Sequence, residues 1–409
     1  MSFTINLTNA TVKVQIEDQT EPILSLAQLR NDIQKLYAEL LEQWIRRQQE
    51  ACLDKCLGEP WKRLKAADIE VACPQCGSIH VRRKCWRPRR ITVAGVGKVS
   101  LGRRQLYCMD CKRCWLPFEQ GLNLPTGAYD GPSLSKGIDL ATEQSFKKAG
   151  QANPEGPSGS TIHRAVQQLP HPEVPQKAHT VVTDGTRIPR WKAPEQITVS
   201  LIHEIAAKEP SASKGKRGKP RKRRLLGVVG GREAEVIAKL TPLNIGALVH
   251  DGNLSLDGQA DHVGRCRWHV PYTVKYLLYH DKIRNEDNKQ RVEGLKTGIE
   301  RYRGQPQQLH NHLDSWITQN KDAPTACTHV QNSKEALLTM SRHPDTFTTH
   351  TTSHVEREMV EVNKRFENGG GWTQQGAENL LWLHQLKRFE PNKYAQTKQQ
   401  LINKVAFSN

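Results

Sequence analysis

His179-Thr-Val-Val-Thr-Asp184-Gly185-Thr-Arg-Ile-Pro189 is a short β-branched run leading into an aspartate and a glycine. β-Branched side chains suit a pleated strand, and a glycine after a carboxylate marks a turn. The stretch predicts a strand that ends in Asp-Gly, with the carboxylate at the rim of a sheet and backbone space around it. The pattern returns at Gly246-Ala-Leu-Val-His250-Asp251-Gly252. Taken singly, each Asp-Gly pair reads as a hairpin turn, the usual meaning of that dipeptide. Two aspartates on two strand ends also supply what magnesium needs, hard oxygen ligands with room for retained water. Both lie in one basic chain with a third carboxylate further on, and that combination points to a divalent-metal site.

At 409 residues the chain is long enough for two or three domains with a substantial core. Lys and Arg number 60 against 42 Asp and Glu, a formal charge of +18. Such an excess favours a polyanionic partner, with double-stranded DNA ahead of a membrane surface. No apolar run approaches the roughly 18–20 residues that span a bilayer, and Met1-Ser-Phe-Thr-Ile lacks a signal-peptide core. The ten cysteines therefore read as cytosolic thiols or metal ligands, in a cytoplasmic protein without a membrane partner.

Residues 1–64 form a helical arm after a β-leaning start. Leu26, Leu29, Ile33, Leu36, Leu40 and Leu41 fall at helical spacing, on a packing helix rather than a dimerisation arm. Within residues 65–128, Cys73-Pro-Gln-Cys76 and Cys108-Met-Asp-Cys111 are two C-x-x-C knuckles. Together they can close a tetrahedral four-cysteine site for one structural zinc, the pattern of a zinc ribbon. Arg90-Ile-Thr-Val and Val99-Ser-Leu flank a Gly95/Gly97 turn, as a β-hairpin would. Arg82, Arg83, Lys84, Arg87, Arg89, Arg90, Lys98, Arg103 and Arg104, with Trp86 among them, would give that hairpin a phosphate-binding surface. Cys85 and Cys114 are spare thiols, either of which can replace a ligand.

Residues 129–172 read as two or three short helices. The last opens at Ser158-Gly-Ser-Thr-Ile-His163-Arg164, with His163 and Arg164 pointing outward. A helix-turn-helix DNA reader and a plain helical spacer fit equally. Pro170, Pro172 and Pro175 then lead to a final domain over 173–409. Ile197-Thr-Val-Ser-Leu-Ile-His reads as a half-buried strand, and Leu225-Leu-Gly-Val-Val-Gly as another. Between them the basic run 211–224, with Lys219, Arg221, Lys222, Arg223 and Arg224, is a solvated loop suited to a DNA backbone. Near the end, Glu356 follows Thr351-Thr-Ser353-His-Val. Ser353-x-x-Glu356 can be a capping box, or Glu356 can be a third metal ligand. Glu378 is the reserve.

The order Asp184, Asp251, Cys266-Arg-Trp-His269, Thr352-Ser353-His354-Val355-Glu356 resembles the DDE transposases of bacterial insertion sequences in the Mutator-like superfamily. Those enzymes show a Cys-or-Asp-x-x-His motif after the second aspartate and a Thr-Thr-Asn-x-x-Glu opening to the catalytic helix. This chain has serine in place of that asparagine. The resemblance covers most of residues 65–390 and implies an α/β (α+β) protein. Its parts would be an RNase H-like catalytic domain with a helical insertion at about 270–336, preceded by helical arm, zinc ribbon and helix-turn-helix-like module. It further implies that Asp184, Asp251 and Glu356 hold two Mg²⁺ (or Mn²⁺) ions for strand cleavage and transfer. Cys266 and His269 would lie beside them as support. The DNA partners would be element ends and target, engaged by a homodimer or higher oligomer in a nucleoid-associated bacterial protein. Two rivals are a catalytically retired DNA-binding regulator and an RNase H-like nuclease without strand transfer.

Overall fold

The computed structural model describes residues 2–8, 11–17, 26–57, 72–117, 127–153, 156–171, 173–207, 222–252, 255–367 and 371–407. Lys219 and Arg221 lie outside them. The chain is mixed α and β, and it divides into Met1–Gln168 with Lys398–Asn409 and, as a second unit, Leu169–Thr397.

In the first unit, β1 (Ser2–Thr8) and β2 (Thr11–Glu17) pair antiparallel, and helix α1 spans Leu26–Leu57. β3 (Val81–Val93) and β4 (Gly97–Cys108) form a long hairpin, joined at its base by β5 (Cys114–Trp115). Its turn, at 94–96, lies where the glycines predict it, with Gly95 at φ 76° and Gly97 at φ 91°. Ile45 of α1 packs with Ile91, Val99 and Leu101 of the hairpin, and buried Gln49 donates to the Gly102 carbonyl and accepts from the Arg104 amide. Leu41 of the expected apolar stripe joins this cluster, as does Ala38. Ile33, from the expected apolar stripe, is exposed, as are Tyr37 and Trp44.

Three short helices follow: α2 (Gly131–Ala141), α3 (Phe146–Gln151) and α4 (Gly159–Val166), capped by Asp130, Ser145 and Ser158. The α3–α4 connection, 152–158, is longer than the three- or four-residue turn of a simple helix-turn-helix. His163 is half-buried. Its ring packs edge-on against Phe146 at 5.1 Å and bonds Gln167, and burial lowers its pKa. Arg164 is exposed.

The second unit is organised by a five-stranded sheet in the order β10-β9-β6-β7-β8. β6 (Lys177–Pro189), β7 (Gln196–Ile205) and β8 (Arg223–Gly230) run antiparallel, whereas β9 (Asn244–His250) and β10 (His262–Arg265) run parallel to β6. Helix α5 (Glu233–Leu240) makes the crossover from β8 to β9 and packs Val236 and Leu240 on Val181, Ile202, Leu226 and Leu248. β7 is buried on both faces, not half-buried, because it is an interior strand.

After β10 come four helices, α6 (His269–His280), α7 (Asn285–Arg301), α8 (Pro306–Gln319) and α9 (Pro324–Arg342). They share a core that includes Val274, Leu295, Leu313, Trp316 and Leu337, so this helical stretch extends past the expected residue 336. Helices α10 (Ser353–Glu367), α11 (Gln374–Phe389) and α12 (Pro391–Phe407) complete the chain. The tail from Lys398 belongs to the first unit, where Lys398 pairs with Asp139 at 2.8 Å. No described helix is long and apolar enough to cross a membrane.

Candidate functional site

Asp184 does not end its strand. β6 continues five residues further, with Asp184 opposite Leu201 and Gly185 opposite Ser200. Gly185 serves close approach rather than a turn: a Cβ there would lie 2.9 Å from the Ser200 hydroxyl and 3.4 Å from the Val199 carbonyl. Asp251 follows the expected pattern, since β9 ends at His250 and Gly252 turns away at φ 101°. The β6–β9 register pairs Thr180 with Ala247 and Val182 with Val249. Carried two residues on, this register would set Asp184 level with Asp251, the first residue past the end of β9. They line an open cleft of about 580 Å³ with Thr186, Thr198, Ser200 and His250.

Burial raises the Asp184 carboxyl to about 6, and the charges of Asp251 and Glu356 add to the rise; the Gly185 amide and His269 oppose it. Asp184 therefore feels both of the other carboxylates. Glu356 lies in the first turn of α10, which packs on β6 through a Thr186–Asn363 hydrogen bond of 2.9 Å. The helix starts at Ser353, and the Glu356 amide donates to the Thr352 carbonyl at 3.0 Å. Thr352 thus takes the cap position that the capping-box reading gives to Ser353, whose hydroxyl pairs instead with Thr351. Glu378 is engaged elsewhere, accepting from the Gly230 amide at 2.7 Å and from Gln374.

Cys266 and His269 hold the start of the Glu356 helix. The Thr352 amide donates to the Cys266 sulfur at 3.3 Å, and its hydroxyl meets His269 Nδ1 at 3.0 Å. Burial raises the Cys266 thiol, but hydrogen bonds from His269 and Thr352 outweigh it and leave the pKa lowered. Burial disfavours a charged His269, yet the Cys266 sulfur and the charges of Asp184 and Asp251 raise it. No local pattern assigns these roles to Thr352, Asn363 or His250. Only the fold brings His250 to the cleft, Asn363 to Thr186, and Thr352 to Cys266 and His269.

Asp184 also sets a pH dependence. Its folded pKa exceeds the ordinary 3.8, so between that value and about 6 the folded chain binds more protons than the unfolded one. Stability falls as pH rises through that window. Without divalent metal, Asp184→Asn is expected to be about 1–3 kcal/mol more stable than wild type at pH 7. The difference should shrink through pH ~4 and disappear near pH ~3, where both folded and unfolded carboxyls are protonated. Urea unfolding at both pH values measures it.

The second candidate centre lies in the first unit. Cys73, Cys76, Cys108 and Cys111 have sulfurs within 4.8 Å of one another, and can hold a structural metal such as zinc. The knuckles are alike. The Cys73 amide donates to the Ser78 carbonyl and the Cys108 amide to the Arg113 carbonyl, each at 2.8 Å. Gly77 (φ 68°) and Lys112 (φ 61°) adopt the left-handed conformation after each second cysteine. Burial raises these thiols, but backbone amides outweigh it at Cys108 and lower that thiol to about 6. Cys111, beside the other sulfurs, rises to about 12. Four close thiols cannot all ionise until a cation compensates them. Cys85 bonds Gln105 and Cys114 accepts from Lys84, so neither joins the quartet. Among the described residues this quartet is the one cluster of three or more such side chains this tight. The carboxylates of Asp184, Asp251 and Glu356 stand further apart.

Several expected DNA contacts are otherwise occupied. Arg83, its side chain 5% exposed, pairs with Glu50 and Asp54. Arg223 pairs with buried Glu358 at 3.2 Å and covers the Phe389 ring, which makes it part of the fold. Arg224 pairs with Glu204, and Arg89 donates to the Gly127 carbonyl at 2.6 Å. Arg82, Arg87 and Arg90 are exposed along β3, and Lys222 is exposed just before β8. No protein-family model and no curated protein matches this chain.

Proposed function

We propose that this chain is a DDE-type transposase that cleaves and joins DNA strands at a metal site formed by Asp184, Asp251 and Glu356. The observation that carries the reading is that Asp184, on β6, and Asp251, just past the end of its parallel neighbour β9, line one cleft, with Glu356 within electrostatic reach of Asp184. The strand order 8-7-6-9-10, with the first three strands antiparallel, supports an RNase H-like domain carrying a four-helix insertion. The cysteine quartet at the hairpin base supports a zinc ribbon.

The donor set fits a hard cation. Partial burial and the charges of Asp251 and Glu356 raise Asp184, and positive charge is what would relieve that repulsion. Bound magnesium would supply Lewis acidity and an activated oxygen nucleophile for in-line attack on a phosphodiester. Asp184, Asp251 and Glu356 would hold it, Thr352 fixes where Glu356 stands, and His269 offsets part of the carboxylate charge. A binding-only regulator has no use for this arrangement.

The partner is double-stranded DNA, held by exposed basic residues. Replacing Arg82, Arg87 and Arg90 together by Gln is expected to weaken binding to all duplexes alike. The slope of log K against log salt should flatten by about one for each phosphate that is no longer neutralised. Binding isotherms at several salt concentrations read both. Transposition itself is tested with duplexes from the DNA flanking the coding region. Wild type with Mg²⁺ should cleave them and join the ends to a target, while Asp184→Asn binds without cleaving. Cleavage without joining favours the nuclease, and binding without cleavage by wild type favours the regulator.

A further inference from the structure

Four aromatic side chains stand in a row on α6 and the residue before it. Trp268, Tyr272, Tyr276 and Tyr279 are 44, 42, 54 and 43% exposed. Trp268 stacks on Tyr272 with ring centroids 4.5 Å apart and planes at 19°. Tyr276 meets Tyr272 edge-on at 5.1 Å and donates its hydroxyl to the Tyr272 oxygen at 2.9 Å. The opposite face of the helix, Val270, Val274 and Leu278, is fully buried in the insertion's core. A surface helix ordinarily turns charged residues to water on its outer face. This one turns a pre-ordered aromatic row outward, with exposed Lys275 beside it.

The row begins beside His269. Trp268 packs edge-to-face on His269 at 4.8 Å, and Glu356 acts electrostatically on Tyr272. We propose that this row is a platform on which unpaired nucleobases of a DNA strand stack as the strand passes Asp184, Asp251 and Glu356. The inference rests on the reading of those three residues as a phosphodiester site. Phosphates are repelled by three nearby carboxylates, so charge cannot by itself hold a strand here. Stacking on aromatic rings supplies a hold that does not depend on phosphate, and Lys275 is placed to neutralise one. A paired base in a duplex has both faces covered, so the occupant is an unpaired or flipped base.

The test uses the full-length protein without divalent metal, a labelled oligo(dT) and an abasic oligomer of the same length. Wild type should bind oligo(dT) tighter by about tenfold for each stacked base. Trp268→Ala/Tyr272→Ala should lose most of the base preference with an unchanged salt slope, and Trp268→Phe/Tyr272→Phe should keep it. Equal binding by wild type, or an undiminished preference in the alanine variant, overturns the platform. So does an alanine variant that keeps the preference but loses self-association in light scattering, which would make the row a contact between copies. Asp184→Asn should keep the base preference. A preference retained in a wild-type protein that cleaves no DNA defeats the catalytic reading and leaves the platform standing.

Discussion

Glu356→Gln is expected to lose metal-dependent strand cleavage by roughly a thousandfold, while Glu378→Gln keeps most of it. The magnitude follows from the role. A metal ligand at the reacting phosphate contributes several kcal/mol, and each ~1.4 kcal/mol is a factor of ten in rate. A helix cap contributes only about 1 kcal/mol, to stability rather than to rate. Thr352, not Ser353, holds the cap position of α10, which leaves Glu356 one residue beyond where a capping box needs it. Its carboxylate is felt by Asp184. Glu378 instead holds the Gly230 amide at the end of β8, where a glutamine oxygen can accept the same bond. Cleavage rates of both variants under Mg²⁺ decide it. An active Glu356→Gln beside a dead Glu378→Gln would move the third ligand.

The second large effect concerns the cysteine quartet. Cys108→Ser is expected to abolish tight zinc binding and, with it, the ordered structure of residues 72–117. Structural zinc contributes about 10 kcal/mol or more to small modules of this kind. Cys108 is fully buried at the end of β4, and its amide closes the second knuckle. Cys85→Ser and Cys114→Ser should retain one zinc per chain, since those thiols are bonded to Gln105 and Lys84. Metal analysis by emission spectroscopy, with limited proteolysis of the hairpin, reads both outcomes.

The cysteine spacing is legible in the sequence because a C-x-x-C turn is local: two knuckles state their geometry without the rest of the chain. The capped helices after residue 130 are legible for the same reason. Asp251-Gly252 marks a strand end, as its local pattern implies, whereas Asp184-Gly185 does not. The difference is tertiary. Gly185 lies within a strand because the neighbouring Ser200 leaves no room for a Cβ, and no local pattern records a neighbour. Basic residues mislead in the same way. Arg83 and Arg223 read as phosphate ligands from composition, but Glu50, Asp54 and Glu358 reach them from distant stretches. The Cys266–His269–Thr352 linkage likewise joins segments that only the sheet brings together.

Nicking of supercoiled plasmid in Mn²⁺, with the chemistry of the new ends determined, tests the carboxylate site without knowledge of the recognised sequence. Wild type is predicted to open the plasmid and leave 3′-hydroxyl ends that a polymerase extends directly. Asp251→Asn, purified in parallel and equally folded, should leave it closed. Equal nicking by the two proteins, or ends that extend only after phosphate removal, would contradict metal-dependent phosphodiester chemistry at Asp184, Asp251 and Glu356.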